Sequence, residues 1–385
     1  MRVLKPLLDY LKRTDKLYWL LMLTISAYSL LLLSRIPTEG KSRSVFTIQL
    51  IAILLGYCGA ILITLIDYHE IASFWYLVAG FCLFLILYTK LKGTAVTNSG
   101  GVNAQAWIKL PGGLTFQPSE LVKIGFMITF SKHISEVKER GLLYSFPHVM
   151  LLAAHAAVPV ILVHFQGDDG AAVIFFCMFL AMAFGSGVQL RYFVAVFASL
   201  CVAFPLAYKF MLKPYQKDRL TIFMHPDSDP LDKGLQQVQG RLSIGSGGLW
   251  GRGLYNEQTR VNKWLVPVQD KDYIFSVAGE LLGFIGCVLI ILLLFTLLLR
   301  TLHIARKAGD AMGNSICFGF FGMVAAQALF NLGMCLNLLP VMGVTLPFFS
   351  AGGSSAACLY LGFGLVLNVH MHRTVTDKVS LKKFS

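Results

Sequence analysis

The sequence predicts an all-α integral membrane protein with about ten transmembrane helices and a large extracellular loop between spans seven and eight. Two observations carry that prediction. Of 385 residues, 56% are hydrophobic and only 14% charged, and the mean hydropathy of +0.66 lies outside the range of a soluble globular domain. A hydrocarbon core about 30 Å thick needs roughly 20 apolar residues per helix. The chain offers such segments at 17–36, 46–66, 71–90, 118–133, 147–164, 170–188, 192–212, 273–299, 313–338 and 353–372. Residues 213–272 form the one long polar stretch, read as the large outer loop, and residues 1–385 read as a single polytopic membrane domain.

The first span follows Lys5, Lys12, Arg13 and Lys16 and has no small-residue cleavage pattern after it, so it reads as retained, with a cytoplasmic N-terminus. An even number of spans returns the C-terminus to the same side, where Arg373, Lys378, Lys382 and Lys383 lie. Lys132, Lys138, Arg140, Arg300, Arg306 and Lys307 fall in other inside loops. The outer loop is basic too, but long loops translocate largely regardless of charge. With no soluble domain to carry it, the net charge of +13 points to anionic lipid headgroups or a lipid phosphate and away from nucleic acid. All eight cysteines lie in or beside predicted spans without zinc-site spacing, which makes them packing residues.

The inside loops are short and basic, whereas segments 101–123, 164–172, 213–254, 264–286 and 331–355 are rich in Gly, Pro, Gln, Ser and acid. The working face is therefore expected outside. Asp270, Lys271 and Asp272 stand at the mouth of span eight, where ionisable groups meet both a water-borne and a lipid-borne substrate. The plainer role for Asp272 is an N-cap of that span. Pro118 suits the first turn of span four. Glu120 and Lys123 then share a helical face as an i,i+3 pair, offsetting charges that each cost about 2.5–3.5 kcal/mol at a helix centre. A purely structural pair is the alternative. Asp168 and Asp169 precede span six, and two acids exceed what one cap needs, although Asp169 also reads as a solvated loop acid. His155 and His164 lack metal-like spacing and read as packed or interfacial.

The glycines of Ile244–Gly253 have no preceding strand and no βαβ unit, so a dinucleotide fingerprint fails. Two readings stand: a flexible loop, or a backbone cradle for a diphosphate aided by Arg219, Arg241 and Arg252. Leu346–Ser355 reads as a re-entrant, cavity-lining turn or as a close helix crossing. No inverted repeat and no broken-helix pair of the transporter kind is visible.

Together these segments resemble the SEDS family (shape, elongation, division and sporulation: RodA, FtsW and SpoVE proteins) along nearly the whole chain. The matching pieces are Phe116-Gln117-Pro118-Ser119-Glu120 with Lys123; Gln166, Asp168 and Gly170; Arg219; Gln236 and Gln239 ahead of Ile244-Gly245-Ser246-Gly247-Gly248; Pro267 with Asp272-Tyr273-Ile274-Phe275 and Gly279-Glu280; and Leu346-Pro347 with Ser350, Gly352, Gly353 and Ser354. The resemblance implies a peptidoglycan glycosyltransferase of the bacterial cytoplasmic membrane. It would polymerise lipid II on the outer face, release undecaprenyl diphosphate and work with a class B penicillin-binding protein. It implies Asp272 as the catalytic acid of the Asp-Phe-Ile-Phe motif, and substrate contacts from Trp107, Glu120, Lys123, Asp168, Arg219, Gln236, Gln239, Ser246, Glu280, Ser350, Gly352, Gly353 and Ser354. Compact termini and Arg241 lean toward the elongation branch. The chain departs from the family pattern at Ala106, Gly167, Asp169, Gly240 and Leu281.

Glycosyl transfer from a lipid diphosphate needs a base for the acceptor hydroxyl and positive charge for the leaving group. An ordinary aspartate, with a pKa of about 3.9, is a weak base unless burial raises that value, so the role for Asp272 requires an enclosed position. Arg219, Lys123 or a divalent cation (Mg or Mn) would supply the charge. A lipid II flippase and a non-catalytic scaffold are the competing classes. A transporter should gather its polar groups near the midplane, and here they gather at one face.

Overall fold

A computed structural model describes residues 10, 12–37, 45–97, 103–109, 115–210, 214–224 and 234–382. Each of the ten expected spans is a long helix. They are α1 (Lys16–Leu33), α2 (Val45–Thr64), α4 (Trp75–Lys92, after the short α3, Tyr68–Ser73), α5 (Pro118–Glu139), α6 (Phe146–Phe165), α7 (Asp169–Ser186) and α8 (Leu190–Phe210). After α9 (Pro214–Met224) and α10 (Leu235–Ser246) come α11 (Ile274–Arg306), α12 (Ala311–Cys335) and α13 (Gly353–Lys382). Among the described residues, nine helices are long and apolar enough to cross a membrane.

The tenth, α5, carries Glu120, Lys123, Lys132, Glu136, Lys138 and Glu139 and is too polar to qualify by itself. It is enclosed: most of its residues from Pro118 to Val137 are buried, and it packs against α4, α12 and α13. A helix walled by other helices needs no lipid-compatible surface, which is where intramembrane charge is tolerated. At the far end of the bundle from the glycine-rich segments, Asp15 caps α1 by accepting from Tyr18 N and pairs with Arg300 at 2.6 Å. At that same end Asp310 caps α12 through Met312 N and Gly313 N.

The structure corrects the expected architecture in three places. Residues 94–116 hold a small antiparallel sheet in the order β1 (Thr94–Thr97), β2 (Asn103–Lys109), β3 (Thr115–Phe116). The polar stretch 213–272 is not all loop, because α9 and α10 lie within it. The buried face of α10 is Gln237, Gly240 and Ser243, so its apolar residues Leu235, Val238 and Leu242 do not mark the side that packs on the protein. Gly240 is needed there: a Cβ at that position would lie 2.6 Å from the Tyr273 ring.

The third correction concerns span eight. α11 is broken at Gly283, whose φ of 68° and ψ of −161° no L side chain adopts readily. The freed backbone groups are taken up by residues 248–253: Phe284 N donates to Gly248 O at 2.9 Å and Ile285 N to Leu249 O at 3.3 Å. In return Arg252 N donates to Glu280 O at 2.8 Å and Gly253 N to Leu281 O at 3.1 Å. A Cβ on Gly247 or Gly251 would collide with the backbone of Gly279 or Leu281. Gly247 and Gly251 thus serve a backbone-to-backbone approach.

Ile274–Leu281 are buried in protein, whereas Phe284 is 62% exposed and opens an apolar face that runs through Ile285, Leu289, Leu292 and Phe295. The lipid-facing part therefore begins at Phe284, and its rise to Arg300 is about 24 Å at 1.5 Å per residue. The preceding turns sit within the protein at the site end. Replacing Gly283 by Ala should cost about 1–3 kcal/mol in backbone strain alone. A clear fall in the thermal unfolding midpoint of the purified protein is expected, and an unchanged midpoint would contradict the break.

Candidate active site

Two polar clusters meet at one end of the bundle. In the first, the opening turn of α5 carries Glu120 and Lys123 one turn apart, and Lys123 Nζ meets Glu120 Oε1 at 2.8 Å with Lys123 only 1% exposed. Gln117, just before that helix, donates its side-chain amide to Asp168 Oδ2 at 2.6 Å. Asp168 caps α7 through Ala171 N at 3.0 Å. Burial pushes its carboxyl up, while the Ala171 N–H and the nearby Lys123 charge oppose that shift. Asp169, in the first turn of α7 and 28% exposed, bonds His164 Nδ1 at 2.6 Å and accepts from Gln216 Nε2 at 2.9 Å.

The second cluster is the run of turns that leads into α11. Asp272 is 5% exposed, which meets the requirement for an enclosed acid. It is not the N-cap: that position is Tyr273, with no side-chain capping bond. The backbone of Asp272 is fixed by Asn331, whose Nδ2 donates to Asp272 O and to Val344 O, each at 2.8 Å. Ser350 Oγ donates to Lys271 O at 2.6 Å and accepts from Leu346 N at 2.8 Å, and Ala351 N donates to Asp270 O at 2.8 Å.

The turn 342–354 joins the clusters. Its Ser354 Oγ accepts from Gln117 N at 3.3 Å, and Gly352 N donates to Gln49 Oε1 at 3.2 Å. Gly170 passes so close to Met342 O that a Cβ would lie 2.7 Å from it. Phe348 takes a φ of 68° inside this turn and is fully packed, the non-helical backbone at depth that protein cover permits.

Several expected substrate contacts also make hydrogen bonds within the protein. Glu280 is fully buried and accepts from Ser243 Oγ, Arg260 N and Val261 N, so its carboxylate ties α10 and residues 260–261 to α11. Gln239 accepts from Arg260 Nη2, and Ser246 Oγ donates to Ser243 O. Ser350 is likewise engaged on both sides. Gln236 is half-buried on α10, Gly353 opens α13 and Trp107 lies on β2 opposite Thr94. Arg219 falls within α9, but its side chain lies outside the described residues.

Sequence reasoning missed Gln49 and Asn331, both fully buried amides that hold the site's backbone. The signal available for each is a lone amide inside an apolar run. Among the described residues no group of three or more His, Cys, Asp or Glu is placed to hold a metal ion.

Breaking a buried ion pair from one side costs about 3–5 kcal/mol, because the remaining charge stays uncompensated. Lys123→Met should therefore lower thermal stability strongly. The double variant Glu120→Gln/Lys123→Met should recover most of the loss, whereas additive losses would show that the two charges are not coupled.

The comparisons agree with this arrangement. Residues 13–375 match the cell cycle protein family of FtsW, RodA and SpoVE. The chain is 31% identical over 354 residues to the stage V sporulation protein E of Bacillus subtilis (strain 168), covering 91% of this chain and 94% of that one. It is 33% identical over 304 residues to the peptidoglycan glycosyltransferase MrdB of Escherichia coli (strain K12), covering 78% and 80%. Among solved structures, a chain from a study of how a peptidoglycan synthase complex coordinates polymerization and crosslinking superposes with a TM-score of 0.75 at 27% identity, over 94% of this chain and 98% of that one. The rod shape determining protein RodA of Thermus thermophilus superposes with a TM-score of 0.66 at 25% identity, over 94% and 97%. With family motifs, fold and sequence in agreement over nearly its whole length, the chain belongs to the FtsW/RodA/SpoVE family of cell cycle proteins.

Proposed function

We propose that this protein is a peptidoglycan glycosyltransferase. In this reading it polymerises lipid II into glycan strands on the outer face of the bacterial cytoplasmic membrane, with both termini cytoplasmic and residues 213–272 outside. Undecaprenyl diphosphate is released, and a class B penicillin-binding protein is the working partner. The observation that supports this best is the enclosed Asp272, its backbone clamped by Asn331 and Ser350, next to a turn shared with the Gln117/Asp168/Lys123 cluster.

Asp272 acts as the base. It takes the proton of the acceptor sugar hydroxyl as that oxygen bonds to the anomeric carbon of the donor and the bond from that carbon to the diphosphate breaks. Lys123 is buried against Glu120, so it holds the first turn of α5 and the field around Asp168, and does not meet the diphosphate directly. Arg219 is the cation assigned to the leaving group. Glu280, Gln239, Ser246 and Ser350 hold the walls of the site, while Asp168, Gln236, Trp107, Gly352, Gly353 and Ser354 are its candidate substrate contacts.

One observation favours a flippase: a helix broken within the bundle is a transporter feature. Here the break at Gly283 is closed by the protein's own residues 248–253, which leaves no open half-helix ends for cargo. Purified protein with a class B partner should convert labelled lipid II into glycan strands. Asp272→Ala should reduce that rate about 100-fold or more while the unfolding midpoint stays near wild type. Near-normal strands from the variant would remove Asp272 as the base. Lipid II translocation by the wild type without strand formation would favour the transporter, and an added chelator reports any need for Mg or Mn.

A further inference from the structure

The loop that closes the break in α11 ends in two apolar residues with no protein cover. Leu249 is exposed and Trp250 is 79% exposed. They belong to the segment whose carbonyls receive Phe284 N and Ile285 N, so they stand beside the first lipid-facing residues of α11. Depth follows from the helix itself. Arg300, paired with Asp15, marks the opposite boundary, and the 16-residue rise from Phe284 to Arg300 is about 24 Å. A hydrocarbon core of about 30 Å therefore extends past Phe284, and the Leu249–Trp250 tip lies at its edge or within it.

We propose that residues 248–253 form a membrane-seated hook, with Leu249 and Trp250 inserted among the acyl chains of the leaflet on the site side. The occupant of this exposed apolar surface is the lipid bilayer itself, because the surface is continuous with the apolar face of α11. The backbone chemistry is consistent with that depth: Gly248 O, Leu249 O, Arg252 N and Gly253 N are matched to α11, and non-helical chain in a water-poor layer needs such partners. Leucine with tryptophan is also the composition that settles at a membrane boundary, where the indole keeps a polar edge toward the headgroups. The hook would anchor the polar stretch 213–272 to the lipid surface from which a lipid-linked substrate arrives. The inference rests only on the chain's spanning a membrane and stands apart from the glycosyltransferase reading.

The test uses the full-length protein in bilayer nanodiscs. With phospholipids brominated near the carbonyl end of the acyl chain, Trp250→Phe should remove about one tryptophan's share, of five, from the lipid-quenched emission. A wild-type measurement guards against a variant that fails to fold: a photoreactive group on an acyl chain should label the peptide spanning residues 248–253. Unchanged lipid quenching in a folded variant, loss of an emission quenched by aqueous iodide instead, or absence of label from that peptide would each overturn the proposal.

Discussion

The four backbone hydrogen bonds between residues 248–253 and the break at Gly283 are the constraint on which the site end depends. A helix interrupted among apolar neighbours exposes donors and acceptors that nothing else can satisfy, and each left unmade costs about 1–3 kcal/mol. Here the chain returns to fill its own gap. The approach is so close that side chains at 247, 251 and 283 are sterically barred, which explains three of the glycines by contact and conformation together.

From that junction the rest of the site follows. The turns before the break are buried in protein, so Asp272 is held at the end of an enclosed segment. Glu280 fastens the same segment sideways to α10, and Asn331 and Ser350 fasten its leading backbone to α12 and the turn 342–354. That turn also receives Gln117, so a displacement at α11 would reach the ion pair of α5 through two shared hydrogen-bonding residues. Rigid support of this kind is what the base role proposed for Asp272 needs, since small errors in placement are costly in rate.

The ten spans are legible in the sequence because lipid-facing helices must be apolar, and the α5 charges are legible because they violate that rule. The roles of individual polar residues are not. Glu280 and Ser350 carry the same motif signature whether they meet a ligand or a neighbouring backbone, and only the fold shows three protein donors around Glu280. The glycines of 245–253 suggest close approach without naming the partner, which for Gly247 and Gly251 proves to be another stretch of main chain. α10 escapes detection because its buried face is polar or glycine, shaped to receive the Tyr273 ring and the Glu280 carboxylate. The β1–β3 sheet is missed because its short strands lie in a segment read as loop, while Asn331 and Gln49 are hidden as single amides in apolar runs.

Amide hydrogen exchange at the break tests the central claim most directly. If residues 248–253 close α11, the Phe284 and Ile285 amides should exchange as slowly as those in the helix interior, despite lying beyond a residue that ends the helical ladder. Fast exchange at these two amides, with protected neighbours on either side, would show that the gap is open and that the segment bearing Asp272 is not held as described.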